Sequence, residues 1–95
     1  DERALPEKAR DAYTVALHPA GKQLSSEEFV GLLREKESVA FLIGGAEGLS
    51  PETLSRAQVQ LSLSRMTFPH ELARLLLAEQ LYRAFTILRG LPYHK

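Results

Sequence analysis

The chain has 95 residues, of which 44% are hydrophobic and 25% are charged, and its twelve basic and twelve acidic side chains give a formal net charge of zero. A chain of this length forms one domain at most, here residues 1–95, and its neutral balance argues against a protein that holds RNA through a general basic coat. It has no cysteine for a disulfide framework, and no apolar run approaches the roughly 20 residues that a membrane span needs.

The first third of the chain contains one strand between two helical patterns. Pro6 suits the first turn of a short helix over residues 7–11. Residues 13–17 are rich in β-formers and stop at residues 18–21, a histidine, proline, alanine and glycine sequence that predicts a tight loop. Ser25 and Glu28 then form a capping box for a helix that runs to about Lys36.

The middle of the chain repeats this alternation. Residues 39–43 form a short buried strand, and Ser50 with Pro51 predicts the start of a helix across residues 53–56. Residues 59–63 alternate apolar and polar side chains, as in a half-buried strand. Strands and helices therefore alternate along the chain, which predicts an α/β fold with a parallel sheet covered by helices.

The longest helix is predicted from Pro69 to Arg89, and it is apolar almost all round. Since a sheet covers only one side of such a helix, we expect a second copy of the protein to cover the other side, which makes the protein a homodimer. Glu79 and Arg83 lie four residues apart on this helix and predict a partly buried ion pair. Gly90 ends the helix before a short tail.

Two turns follow predicted strands directly. Residues 44–48 contain three glycines, which let the backbone approach a ligand closely, and residues 64–68 form a polar turn that leads into the long helix. Turns at the carboxyl ends of parallel strands are a usual ligand position, although polar turn residues are often ordinary loops. The glycines lack the G-x-G-x-x-G spacing and no Walker lysine follows, so a phosphate site is disfavoured.

Other chemistries find little support in the residues. His18, His70 and His94 lie far apart and have no metal-ligand spacing, so no metal is predicted. There is no G-x-S-x-G sequence around Ser62 or Ser64, so a serine nucleophile is unsupported. Positive charge gathers after residue 60, where five basic side chains stand against two acidic ones.

Four blocks in the second half of the chain closely resemble the RlmH family of ribosomal RNA methyltransferases, which belongs to the trefoil-knotted SPOUT methyltransferases. The blocks are Ile43-Gly44-Gly45-Ala46-Glu47-Gly48-Leu49, Leu61-Ser62-Leu63-Ser64-Arg65-Met66-Thr67-Phe68-Pro69-His70, Glu79-Gln80-Leu81-Tyr82-Arg83-Ala84 and Pro92-Tyr93-His94-Lys95. A member of that family would begin with a further strand and helix, so we expect this chain to lack its amino-terminal part.

The resemblance implies an activity as well as a fold. It implies a cytoplasmic homodimer that transfers a methyl group from S-adenosylmethionine to N3 of a pseudouridine in 23S ribosomal RNA. The implied partners are the large subunit or the assembled ribosome, without a membrane or a metal. Two alternatives remain open. One is a knotted RNA-binding or ribosome-assembly module without methyltransferase activity, and the other is a flavodoxin-like nucleotide-binding protein with an unknotted sheet.

The resemblance also implies roles for individual residues. The cofactor is expected to contact Leu17, Gly44, Gly45, Leu63, Ser64, Arg65, Met66, Thr67 and Phe68. The candidates for chemistry are His70, His94 and Arg74, because a histidine of near-neutral pKa can take a proton and an arginine can stabilise a developing anion. The RNA is expected to contact Tyr93, His94 and Lys95.

Overall fold

Three parallel strands alternate with three helices in the computed structural model of the chain, which describes residues 12–45 and 48–94. The elements in chain order are β1 (Tyr13–Gln23), α1 (Ser26–Leu33), β2 (Val39–Leu42), α2 (Pro51–Arg56), β3 (Val59–Ser62) and α3 (His70–Leu88). The predicted alternation is confirmed. The helix predicted over residues 7–11 lies outside the described residues.

The strands form one sheet in the order β2-β1-β3, with β1 parallel to both neighbours. Tyr13 pairs with Val39 on one side of β1, and Leu17 pairs with Leu61 on the other. The prediction of a parallel α/β sheet is therefore confirmed. Its consequence is that the carboxyl ends of all three strands lie towards the same edge of the sheet.

Strand β1 is longer than the sequence predicted, because it continues through the expected loop to Gln23. Leu17 and Lys22 both pair with Leu61, so the residues between them bulge out of the ladder before pairing resumes. Pro19 has no N–H to donate to a ladder, which is compatible with its place in the bulge. The predicted interruption is thus a bulge, and it does not end the strand.

Helix α1 begins as predicted and ends earlier. The backbone N–H of Ser25 donates to Glu28 Oε1 at 2.8 Å, and the N–H of Glu28 donates to Ser25 Oγ at 3.0 Å, which confirms the capping box. The helix ends at Leu33, and a single turn closed by Lys36 N–H and the Leu33 carbonyl at 3.1 Å follows it. The residues beyond Leu33 are charged and exposed, so no packing extends the helix.

The core lies between the sheet and two of the helices. Its buried side chains come from β1, α1, β3 and α3, namely Val15, Phe29, Val30, Leu61, Leu77 and Ala84. Helices α1 and α3 also pack against each other. The described core thus attaches one side of α3 to the rest of the molecule.

The other side of α3 carries exposed apolar side chains. Leu75 is 66% exposed and Tyr82 is 56% exposed, and Leu72, Phe85 and Leu88 are exposed as well. The helix is therefore apolar on two sides, as predicted, while the described residues cover only one of them. None of the helices in the described residues is long and apolar enough to cross a membrane.

Candidate functional site

One groove of about 140 Å³, which we call the glycine-turn groove, lies where the bulge in the middle of β1 meets the carboxyl ends of β2 and β3. It is bounded by the bulge of β1, the glycine turn after β2, the loop after β3 and the first turn of α3. Its lining residues are Leu17, His18, Pro19, Ile43, Gly44, Gly45, Gly48, Leu63, Ser64, Met66, Thr67, Phe68, His70 and Ala73.

Most of the residues predicted to contact a cofactor line this groove together. Of the nine, only Arg65 is not part of the lining. Arg65 is exposed, although both of its neighbours in the chain line the groove. His70, predicted for chemistry, lines the same groove from the first turn of α3. The two strand-end turns found in the sequence are therefore neighbours in space.

The glycine turn has a geometry that two of its glycines make possible. A Cβ atom at Gly44 would lie 2.3 Å from the carbonyl carbon of Gly48, whereas one at Gly45 would have no heavy atom of the described residues within 4 Å, its chain neighbours aside. Gly48 has a φ of 77°, a conformation that side chains disfavour, and its N–H donates to the carbonyl of Gly45 at 3.0 Å. Gly44 and Gly48 therefore close the turn, and Gly45 leaves open space beside it.

The loop after β3 is held by hydrogen bonds of its own serines. Ser62 Oγ donates to the Ser64 carbonyl at 2.8 Å, and the backbone N–H of Met66 donates to Ser64 Oγ at 3.0 Å. Met66 is 73% exposed although it lines the groove. An exposed, flexible apolar side chain at the rim suits contact with an apolar part of a ligand.

Sequence reasoning assigned no site role to five residues of the groove lining, namely His18, Pro19, Ile43, Gly48 and Ala73. Gly48 completes the turn, and its place in the glycine cluster was the available signal. His18 directly follows Leu17 and is half-buried in the groove lining. Among the described residues, the imidazoles of His18 and His70 make no hydrogen bond or ion pair. Both are therefore available to a ligand.

Arg74 is not among the residues that line the glycine-turn groove. It lines an open surface depression with Glu71, Ile43 and Leu75, one turn further along α3. Arg74 is exposed and makes no ion pair within the described part of the chain. Arg74, which was predicted for chemistry together with His70, is thus not part of the groove lining, although Ile43 lines both the groove and the depression.

The tail also lies apart from the groove. Arg83 Nη2 donates to Glu79 Oε2 at 2.7 Å and Arg83 Nε donates to Glu79 Oε1 at 3.3 Å, which confirms the predicted ion pair. Tyr93 Oη donates to the same Glu79 Oε2 at 2.9 Å, and the Tyr93 ring meets Tyr82 edge to face at 4.9 Å. Lys95 lies outside the described residues.

His94 joins the tail to two helices. Its Nδ1 lies 3.0 Å from Arg83 Nη1 on α3, and its Nε2 lies 2.9 Å from Glu27 Oε2 on α1. Neither Tyr93 nor His94 belongs to the lining of the glycine-turn groove. The structure therefore does not bring the two predicted histidines, His70 and His94, together at one site.

Hydrogen bonds in the tail shift several pKa values. The pKa of Glu79 is lowered, first by the hydrogen bond from Arg83 and then by that from Tyr93. The pKa of Tyr93 is raised, chiefly because its hydroxyl donates to Glu79. The pKa of Glu27 is lowered, chiefly by the hydrogen bond with His94. Each shift favours the protonation states that make these contacts.

Within residues 12–45 and 48–94, no three histidine or acidic side chains are grouped so that they could hold a metal ion. That the protein uses no metal remains a prediction.

Comparison with known proteins shows which family the sequence matches. The family model described as "Predicted SPOUT methyltransferase" matches residues 1–94. The ribosomal RNA large subunit methyltransferase H of Carboxydothermus hydrogenoformans is 50% identical over an alignment of 99 positions. The alignment covers 99% of this chain and 62% of that protein. The protein of the same name from Clostridium botulinum is 51% identical over 90 residues, covering 90% of this chain and 57% of the relative. The chain thus spans about three fifths of the length of these relatives.

Proposed function

Because this chain belongs to the SPOUT methyltransferase family, we propose that it forms the cofactor-binding part of an enzyme that methylates large-subunit ribosomal RNA with S-adenosylmethionine. The observation that carries the proposal is that the β1 bulge and the turns after β2 and β3 meet at one groove. The relatives are named ribosomal RNA large subunit methyltransferase H, which supports ribosomal RNA as the substrate. N3 of a pseudouridine in 23S RNA is the specific acceptor we propose.

The described groove residues fit this cofactor better than a nucleoside phosphate. The lining contains apolar side chains, small residues and two histidines, and neither a lysine nor an arginine. Gly45 leaves room for close approach of a ligand to the backbone. An adenosine and a thioether chain need apolar surface and backbone hydrogen bonds, whereas a triphosphate needs several fixed donors or cations. S-adenosylmethionine, when bound, supplies an electrophilic methyl group on a sulfonium.

The groove itself is shallow for such a ligand. Its volume of about 140 Å³ is below the roughly 300–1,000 Å³ of typical small-molecule pockets. We propose that a further wall comes from a second copy of the protein. Helix α3 supports this proposal, because Leu72 and Leu75 are exposed on it close behind His70, and Phe85 and Leu88 continue the exposed apolar surface.

Methyl transfer to a ring N–H requires removal of one proton. As N3 of the pseudouridine bonds to the methyl carbon, the carbon–sulfur bond breaks with its electron pair left on sulfur, and the N3 proton must pass to a base. We propose His70 for this role, because it lines the groove and its imidazole makes no hydrogen bond or ion pair among the described residues. A neutral imidazole is well suited to accept a proton near neutral pH.

Exposed cations beside the groove fit the approach of RNA. Arg65 stands between two groove residues, and Arg74 is exposed one turn beyond His70. We propose that both contact phosphates of the substrate, and that Tyr93, His94 and Lys95 form a second contact surface on the tail. The proposed substrate also places the protein in the cytoplasm.

Ligand binding tests the first part of the proposal. Calorimetry on the full-length protein should detect S-adenosylhomocysteine and should detect no binding of ATP at the same concentration. In an activity assay, the protein should transfer tritium from labelled S-adenosylmethionine to purified large subunits. Replacing the target pseudouridine by uridine beforehand should abolish this transfer. Tight ATP binding without binding of the methyl-donor product would overturn the proposal.

A further inference from the structure

The imidazole of His94 is held by two side chains of opposite character. Arg83 Nη1 lies 3.0 Å from Nδ1, and Glu27 Oε2 lies 2.9 Å from Nε2. An arginine side chain only donates hydrogen bonds, so Nδ1 must present a lone pair. An ionised carboxylate only accepts them, so Nε2 must carry the hydrogen. These two contacts select the neutral imidazole with its proton on Nε2.

Arg83 is itself fixed in position. Its guanidinium donates twice to Glu79, lies over the Tyr93 ring at 5.1 Å and is 26% exposed. Glu27 is 67 residues from His94 in the chain and is the contact of the tail with α1. Glu27 is 70% exposed, and its carboxylate makes no ion pair in the described residues other than that with His94. A substitution at Glu27 can therefore remove the contact with the tail without disturbing the buried core.

We propose that Glu27 is a positioning residue for the carboxyl-terminal tail, which fixes the tautomer of His94 and thereby holds the tail against α1 and α3. The lowered pKa of Glu27 agrees with a carboxylate that accepts this hydrogen bond. No sequence pattern indicated this role, because Glu27 follows the helix cap as an ordinary acidic residue of a first turn.

The arrangement has a consequence for the reaction, and only this consequence rests on the proposed function. In the docked tail, the lone pair of Nδ1 faces Arg83 and Nε2 already carries a hydrogen. While the tail is docked, His94 therefore has no nitrogen that can accept the N3 proton of the pseudouridine. Of the two candidate histidines, only His70 is then left to accept that proton.

Nuclear magnetic resonance of the imidazole nitrogens tests the proposal in the absence of cofactor and RNA. The chain has three histidines, so selective ¹⁵N labelling of the full-length protein and a His94→Asn variant assign the His94 signals. At pH 8, the wild type should show one tautomer with the proton on Nε2. Glu27→Ala should convert this signal to a mixture of tautomers, and Glu27→Gln should restore it, since the amide oxygen still accepts.

Hydrogen exchange supplies a second readout and a matched control. The Tyr93 N–H, next to His94 in the tail, donates to the Leu91 carbonyl at 3.0 Å, so its exchange reports on the conformation of the tail. Glu27→Ala should speed this exchange by roughly threefold to tenfold, the usual effect of one net hydrogen bond, and Glu35→Ala, which removes a carboxylate from the exposed segment after α1, should leave it unchanged. A wild-type His94 that averages both tautomers, or a Glu27→Ala protein with wild-type signals and exchange, would overturn the proposal. Neither result bears on whether the groove binds the methyl donor.

Discussion

Gly44 lies so close to Gly48 that a Cβ atom on Gly44 would be 2.3 Å from the Gly48 carbonyl carbon and 2.6 Å from the Leu49 nitrogen. Both neighbours are backbone atoms, which cannot rotate away as the end of a side chain can. The missing side chain at Gly44 therefore permits the turn to close on itself. The adjacent Gly45 has no such neighbour, so its missing side chain leaves space on the groove side.

Alanine at these two glycines should consequently have different effects. Gly44→Ala should destabilise the protein by about 1–3 kcal/mol, as overpacking against fixed atoms does, and should weaken binding of S-adenosylhomocysteine. Gly45→Ala should leave the free energy of unfolding within about 0.5–1 kcal/mol of wild type, because its methyl group enters open space. Urea denaturation and calorimetry measure the two effects, and equal stability of the two variants would contradict the assigned geometry.

A charge on the exposed side of α3 should separate the proposed dimer. Leu75 is 66% exposed and lies among other exposed apolar side chains. Leu75→Glu should give a monomer at micromolar concentration, because the interface would have to bury an unpaired carboxylate. The control is Ser55→Glu, which adds the same charge to the exposed side of α2. Light scattering that finds the wild type monomeric, or the Leu75→Glu protein dimeric, would reject this interface.

Substitution of the two histidines should distinguish their roles. His70→Asn should reduce kcat for methylation of large subunits by roughly a hundredfold or more, the usual cost of losing a proton acceptor. His94→Asn should reduce it less, because the docked His94 has no free nitrogen for the proton. Single-turnover rates with saturating donor compare the two variants. A larger loss for His94→Asn than for His70→Asn would show that His94 in the tail accepts the proton.

The hydrogen bond between Tyr93 and Glu79 should confine tail docking to a pH window. The raised pKa of Tyr93 means that its contribution is complete below its ordinary pKa of 10.0 and is lost as the pH rises through the folded-state value. The pKa of Glu79 is lowered first by Arg83 and then by Tyr93, so the contribution of Glu79 is complete above its ordinary pKa of 4.5 and is lost as the pH falls through the folded-state value.

This window is measurable on a single residue. The ¹³Cζ signal of Tyr93 should titrate at a lower pH in Glu79→Gln than in the wild type, because a neutral amide no longer opposes the phenolate. The control is Glu71→Gln, which removes one carboxylate from the first turn of the same helix and should leave the titration of Tyr93 unchanged. An unchanged Tyr93 midpoint in Glu79→Gln would show that the tail is not docked on Glu79 in solution.

Local chemistry in the sequence was sufficient to predict the order of the elements. The reciprocal capping of Ser25 and Glu28 and the change from period-two to helical spacing around Pro69 depend on residues a few positions apart. Even the convergence of the two turns followed from the sequence, because parallel strands connected by helices place their carboxyl ends at one edge. Gly44 and Ser64, at the start of the two turns, were predicted to lie close together for this reason, and both line the groove. Leu17, which the family resemblance added to the site, lines it as well.

Only the tertiary structure decided how distant segments pair. The bulge that lets Leu17 and Lys22 share Leu61 depends on the position of a neighbouring strand, and no local pattern around Pro19 specifies it. The same bulge carries His18 into the groove. The contact between His94 and Glu27 joins residues 67 positions apart, and it forms because α1 and α3 pack on each other. Propensity and capping act over a few residues, whereas such contacts depend on the path of the whole chain.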